Sequence, residues 1–296
     1  MLKVHHAGKM GDVLYALPVL RALARQSGPI HLTTSGLCWQ LVPLLWEQPY
    51  FADVVLDETR PYQIPFDGPT KGITTNWEFY QDGEGINLSL QPKHYELDCP
   101  INWTWAYAKI AGVTEFEAGD YVGLPSLVNH RRWFYGVRVE FDAQPQRIGR
   151  TVVVAPEVET LESASTQTWL KIMDALADDF KIVLVGTKAD FDYRQALFTW
   201  RDGKSLDITD LRGLTTVPTL ARMIAEASAF IGAHSLPWHL ARLSHTPAIC
   251  LQGWREGLRR CIPMDSPPEL CPWVEPDQWA AGVQWITHQA TVPVGG

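Results

Sequence analysis

Read for the spacing of its apolar residues, the chain is two successive runs of alternating strand and helix. A short apolar strand at 2–6 leads into a glycine-bearing loop at 7–11. Val13, Leu14, Leu17, Leu20, Leu23 and Ala24 then recur at intervals of three and four, the period of an amphipathic helix. Asp12 stands at the cap or first turn of that helix, Pro18 bends it, and Gly28-Pro29 stops it. A strand at 30–34, a helix at 37–46 and a strand at 53–56 follow. Such alternation predicts a parallel sheet with helices on its faces. From 59 to 100 the pattern breaks down into prolines, glycines and aromatics, Trp77 and Tyr80 among them, apart from one alternating stretch at 86–90. The aromatics argue against disorder, so the segment reads as a loop region that meets an acceptor ligand. A helix at 102–111 closes the first run.

Polar, turn-rich sequence at 141–149 reads as an interdomain link. It divides the chain into domains at 1–145 and 146–296, with the final helix free to pack back on the first. The second run has a strand at 151–155, a helix at 166–177 and a strand at 181–185 ending in Gly186. Helices at 189–200 and 217–227 follow, and a helix at 276–288 closes the chain. The stretch 229–253 is the most informative. Ala229-Phe230-Ile231 is a strand and Gly232-Ala233-His234 a turn. Ser235 is an N-cap, and Pro237 sits just inside the helix, where its missing N–H costs nothing. Pro247 ends that helix and 248–251 re-enter the sheet. A strand feeding a turn that opens a helix presents N–H groups and a positive dipole end at the carboxyl edge of a sheet, a site for a diphosphate. The expected fold class is α/β, two doubly wound Rossmann-like domains facing a central cleft.

Composition narrows the function. The 296 residues leave room for two cores. A net charge of -8 supplies no basic field and weighs against a nucleic-acid partner. The five cysteines are odd in number and form no C-x-x-C, which reads as reduced thiols in a cytoplasmic protein. A strand at residue 2 leaves no room for a signal peptide, and no apolar run approaches ~20 residues, so a membrane span is not expected. Peripheral membrane association stays open. The thirteen tryptophans read mostly as core packing, with sugar stacking the other use.

Gly11-Asp12-Val13-Leu14, followed by Leu17-Pro18-Val19-Leu20-Arg21-Ala22-Leu23, resembles the opening of glycosyltransferase family 9, the lipopolysaccharide heptosyltransferases. Asp210-Leu211-Arg212-Gly213-Leu214-Thr215-Thr216 looks like the family's segment before its donor motif. Gly232-Ala233-His234-Ser235-Leu236-Pro237-Trp238-His239-Leu240-Ala241 is similar to the motif itself, Gly-x-Asp-Ser/Thr-Gly-Pro-x-His-Leu-Ala. The resemblance implies the GT-B fold and an inverting sugar transfer from a nucleoside diphosphate. His234 stands where the family has Asp, and Leu236 where it has Gly. No Lys or Arg occurs from 157 to 167, where the family places a donor-phosphate lysine.

Such transfer needs a base at the acceptor hydroxyl and stabilisation of the leaving diphosphate. Asp12, at the carboxyl end of the first strand, is the candidate base; a helix cap is the plainer role for the same residue. Gly232, Ser235, Leu236 and Pro237 are the candidate diphosphate turn. His239 is one turn further on, and the resemblance implies a phosphate contact there. His234 either carries the missing positive charge or marks a changed donor. Gly186 faces the nucleotide. Asp190 and Asp192 serve as ribose ligands or as a helix cap. Lys9, Trp77 and Tyr80 are assigned to the acceptor. No metal-ligand spacing occurs and no cofactor is expected beyond the nucleotide-sugar co-substrate. The reading is a metal-independent glycosyltransferase acting on a glycan or lipid-linked glycan such as lipopolysaccharide core. The alternatives are a nucleotide- or glycan-binding protein without turnover, or a transferase with a non-glycan acceptor such as modified viral DNA.

Overall fold

The computed structural model describes residues 1–57, 85–88, 103–117, 132–134, 137–139, 149–157, 164–187, 191–204, 206–251 and 272–291. Those up to Glu117 fall in one compact unit and those from Gly149 onward in another. Between them in sequence, β5 (Arg132–Phe134) and β6 (Val137–Val139) form a two-stranded antiparallel sheet. Most of the interdomain link, residues 141–148, lies outside the described residues.

The first unit is built on a four-stranded parallel sheet of β1 (Lys3–His6), β2 (Ile30–Ser35), β3 (Phe51–Asp57) and β4 (Ile86–Asn87), in the order β3-β2-β1-β4. Helix α1 (Met10–Ser27) joins β1 to β2. The periodicity predicts one apolar face, yet every residue from Val13 to Leu23 is buried, because the helix is covered on its far side as well; α3 (Trp103–Ala111) packs on it. Even Arg21 is buried, its guanidinium 5.3 Å from the centre of the Tyr50 ring. The helix expected at 37–46 is two pieces, a 3-10 turn Gly36–Cys38 and α2 (Val42–Trp46). Pro43 lies in the first turn of α2, where it has no N–H to continue an earlier helix.

The second unit holds a six-stranded parallel sheet in the order β12-β11-β10-β7-β8-β9. Its strands are β7 (Thr151–Ala155), β8 (Lys181–Leu184), β9 (Ile208–Asp210), β10 (Ala229–Gly232), β11 (Ala248–Leu251) and β12 (Trp273–Val274). The connecting helices are α4 (Thr166–Leu176), α5 (Tyr193–Trp200), α6 (Val217–Glu226) and α7 (Leu236–Leu243). The final helix, α8 (Trp279–Thr291), packs on α4, β10 and β11. Val152, Val154, Ile182, Leu184 and Ile231 from the sheet meet Trp169, Ile172, Met173, Leu176 and Ile286 from the helices in one core.

Strand order fixes where ligands can bind. In the first sheet the chain moves outward from β1 to β2 and β3, then returns to β4 on the other side of β1. In the second it moves from β7 to β8 and β9, then returns to β10 on the other side of β7. In open parallel sheets a reversal of this kind is where ligands bind, outside the carboxyl ends of the strands. The reversals fall at β1/β4 and at β7/β10.

Candidate functional site

The segment after β1 carries Asp12. Gly8 donates its N–H to His6 Nδ1 at 3.1 Å, and Lys9 donates its N–H to Asp12 Oδ2 at 2.9 Å. The Gly8 carbonyl accepts from Ser35 Oγ at 3.2 Å and from Cys38 Sγ at 3.5 Å. A side chain at position 8 has no room, since its Cβ would lie 2.6 Å from both Asp12 Cβ and His6 Cε1. Burial pushes the Asp12 carboxyl up to about 6, while the Lys9 N–H and then the Lys9 ammonium pull it back by less. Burial also pushes the Cys38 thiol up to about 11, so it serves as a protonated donor. Asp12 is thus a carboxyl raised toward neutral pH by burial, with Oδ2 held by the Lys9 N–H.

The second candidate segment follows β10. Gly232 permits β10 to lie close to β7, because a Cβ there would be 3.0 Å from both Ala155 Cβ and Ala155 O. The Ala233 N–H then donates to Ala155 O at 3.2 Å. Ser235 occupies the N-cap position, but its hydroxyl does not cap; Oγ donates backward to Ala233 O at 3.2 Å. The first-turn N–H groups are therefore not taken by the capping side chain, and Pro237 contributes none. This is the arrangement an anion site requires.

His234 is buried at 9 % exposure in an aromatic group. Its ring centre lies 5.3 Å from Trp238, 5.0 Å from His239 and 5.4 Å from Trp273. Burial, then the His234 and Arg242 charges, hold His239 well below the ordinary imidazole range. A phosphate contact by His239 would thus come from a neutral N–H rather than from a cation.

Gly186, just past β8, borders a charged group that sequence spacing does not reveal. Arg212 has a fully buried side chain and ion pairs with Glu157, after β7, and with Asp210, at the end of β9. It also donates to Phe191 O at 2.7 Å and lies 5.1 Å from the centre of the Tyr193 ring. Hydrogen bonds from Arg212 hold Asp210 below the usual carboxylate range. Two carboxylates on one guanidinium leave the group net negative. The other Glu157 oxygen, Oε2, is buried with no hydrogen-bond partner among the described residues. Asp192 is the N-cap of α5, accepting from Gln195 N at 2.9 Å.

Asp12 and Lys9 therefore share one edge, and Gly186, Gly232, His234, Ser235, Leu236, Pro237 and His239 lie at or near the carboxyl edge of the other sheet. Trp77, Tyr80 and Asp190 lie outside the described residues. Reading the sequence passed over His6, Cys38, Glu157 and Arg212 as parts of these edges. Among the described residues no three His, Cys, Asp or Glu side chains gather to hold a metal ion, and no helix is long and apolar enough to cross a membrane.

No family model and no curated protein matches the chain. Solved structures do. E. coli heptosyltransferase WaaC with ADP aligns with a TM-score of 0.62 at 13% identity, covering 98% of this chain and 100% of that one. The glycosyl transferase family 9 protein of Veillonella parvula DSM 2008 aligns with a TM-score of 0.59 at 13% identity, over 96% of this chain and 88% of that one. E. coli ADP-heptose lps heptosyltransferase II gives 0.56 at 12% identity, over 98% of both. Over nearly its whole length, then, the chain has the two-unit GT-B fold seen in the family 9 heptosyltransferases.

Proposed function

We propose that the chain is a glycosyltransferase that moves a sugar from a nucleoside diphosphate donor to a hydroxyl of a glycan acceptor. The observation that carries this is the Asp12 carboxylate, held on the Lys9 N–H just after β1, beside the β1/β4 reversal, in a fold shared with heptosyltransferases; burial raises its pKa. Asp12 Oδ1 takes the proton of the acceptor hydroxyl as that oxygen attacks the anomeric carbon, and the diphosphate leaves on the opposite face, inverting the centre. Oδ2 stays on the Lys9 N–H throughout. Lys9 orients the acceptor, as do Trp77 and Tyr80 in this reading. The leaving diphosphate sits at the 232–237 turn, where the dipole of α7 and its first-turn N–H groups stabilise the developing charge. The nucleoside lies toward Gly186. Solved relatives of this fold hold ADP and ADP-2-deoxy-2-fluoro heptose, which makes ADP-heptose the first donor to try and lipopolysaccharide core the first acceptor.

A second reading, a binding protein without turnover, draws on the missing phosphate lysine and on Glu157 standing at the edge of β7. ADP-, UDP- and GDP-sugars should be screened for protection against thermal unfolding and for release of nucleoside diphosphate with glycan acceptors. Asp12→Ala is expected to lower turnover by about 10²–10⁴-fold and to spare donor affinity. Full turnover in that variant would remove Asp12 as base, and binding without release from any acceptor would favour the second reading.

A further inference from the structure

We propose that His6 is the positioning residue for Asp12: its neutral imidazole grips the Gly8 amide and so fixes the turn whose next amide holds the Asp12 carboxylate. This rests on the reading of Asp12 as the base. The geometry is a chain of two consecutive clamps. His6 Nδ1 accepts the Gly8 N–H at 3.1 Å, and Asp12 Oδ2 accepts the Lys9 N–H at 2.9 Å. A Cβ at position 8 would touch both side chains, which places ring and carboxylate on either side of one Cα.

His6 is fully buried and cannot meet a substrate directly. Its ring lies 5.2 Å from Tyr107 at 45°, so α3 fixes the plane from which Nδ1 points at the turn. Accepting at Nδ1 assigns the remaining proton to Nε2, which has no hydrogen-bond partner among the described residues. A buried N–H without an acceptor costs stability, and a leucine in this core position would carry no such cost. The imidazole is held there despite the cost, and what it supplies is the acceptor at Nδ1. Burial lowers its pKa to about 4, so this acceptor survives throughout the range in which Asp12 works. Among the described residues, the ionisable groups that face Asp12 are Lys9, His6 and Cys38, and Tyr107 faces His6 from α3.

The test compares His6→Leu, which keeps bulk and removes the acceptor, with His6→Asn, whose amide oxygen stands near the place of Nδ1. In His6→Leu the amides of Gly8 and Lys9 are expected to exchange at least about tenfold faster, while the rest of β1 stays protected. The carboxyl carbon of Asp12, followed by NMR titration, should show its pKa falling by about one unit as water reaches the loosened turn. With a donor in hand, kcat should fall about 10- to 100-fold with donor KM unchanged, and the acid limb of the pH profile should move with the Asp12 pKa. His6→Asn should restore all of these readouts. Unchanged amide exchange and an unchanged Asp12 titration in a folded His6→Leu protein would overturn the proposal. So would equal defects in both variants, since His6 would then be only a core filler. The exchange and titration arms need no turnover, so a protein that transfers no sugar would sink the enzymatic reading while leaving the positioning role judged on its own.

Discussion

Asp12 and His6 sit side by side and bend stability with pH in opposite directions. The folded-state pKa of Asp12, about 6, lies above its ordinary value of 3.8. The folded protein therefore holds that proton more tightly, and the resulting stabilisation, complete below pH 4, is lost as the pH rises through 6. Asp12→Asn is expected to be more stable than the parent above pH 6, by up to about 3 kcal/mol, and equal to it below pH 4. Urea unfolding at a series of pH values measures the difference. The folded-state pKa of His6, about 4, lies below its ordinary 6.5. Stability tied to His6 is thus complete above pH 6.5 and drains away as the pH falls toward 4. At this scale Asp12 stands out in the sequence as a candidate, because a carboxylate after a glycine loop on a strand is a local pattern. It could not show the Arg212 group, whose Glu157 partner lies 55 residues away. Nor could it show His6 at work, since alternation in a strand tells which face a side chain takes and not what it grips there.

At the level of elements, the helix starts make a controlled comparison. Ser165 caps α4 in the ordinary way, its Oγ accepting the Thr168 N–H at 3.1 Å. Ser235 holds the same position on α7 with its hydroxyl turned away. Ser165→Ala is expected to cost about 1 kcal/mol in chemical denaturation, and Ser235→Ala to cost less than about 0.5 kcal/mol while weakening nucleotide affinity. A Ser235→Ala protein destabilised as much as Ser165→Ala would mean that its hydroxyl caps after all. Longer elements were readable in advance. α1, α4, α6 and α7 emerge close to where apolar period and stop signals place them, because period and punctuation are intrinsic to those segments. The strands that period does not reveal, β9 and β12 with three and two residues and the antiparallel pair β5 and β6, are too short to carry one.

For the molecule as a whole, strand order matters more than any single strand. Both parallel sheets reverse direction beside their first strand, so each candidate loop lies at a strand-order reversal, the place where sheets of this kind take ligands. The repeat of strand and helix predicts two such sheets, but not which strands are neighbours. Because the two units have separate cores, a nucleotide on the second should act on that unit first. Addition of a nucleoside diphosphate is expected to slow amide exchange in 151–157 and 229–243 and to leave residues 3–6 and α1 unchanged. Slowing confined to the first unit would put the nucleotide on the wrong sheet in this account. The aromatic group around His234 has a practical consequence. Trp238 and Trp273 flank an imidazole at the turn proposed for the diphosphate, so a ligand seated there alters the surroundings of two indoles. The protein carries its own optical reporter: its intrinsic fluorescence should change with nucleotide occupancy, and a Trp238→Phe variant should lose much of that signal, letting donors be ranked without labels.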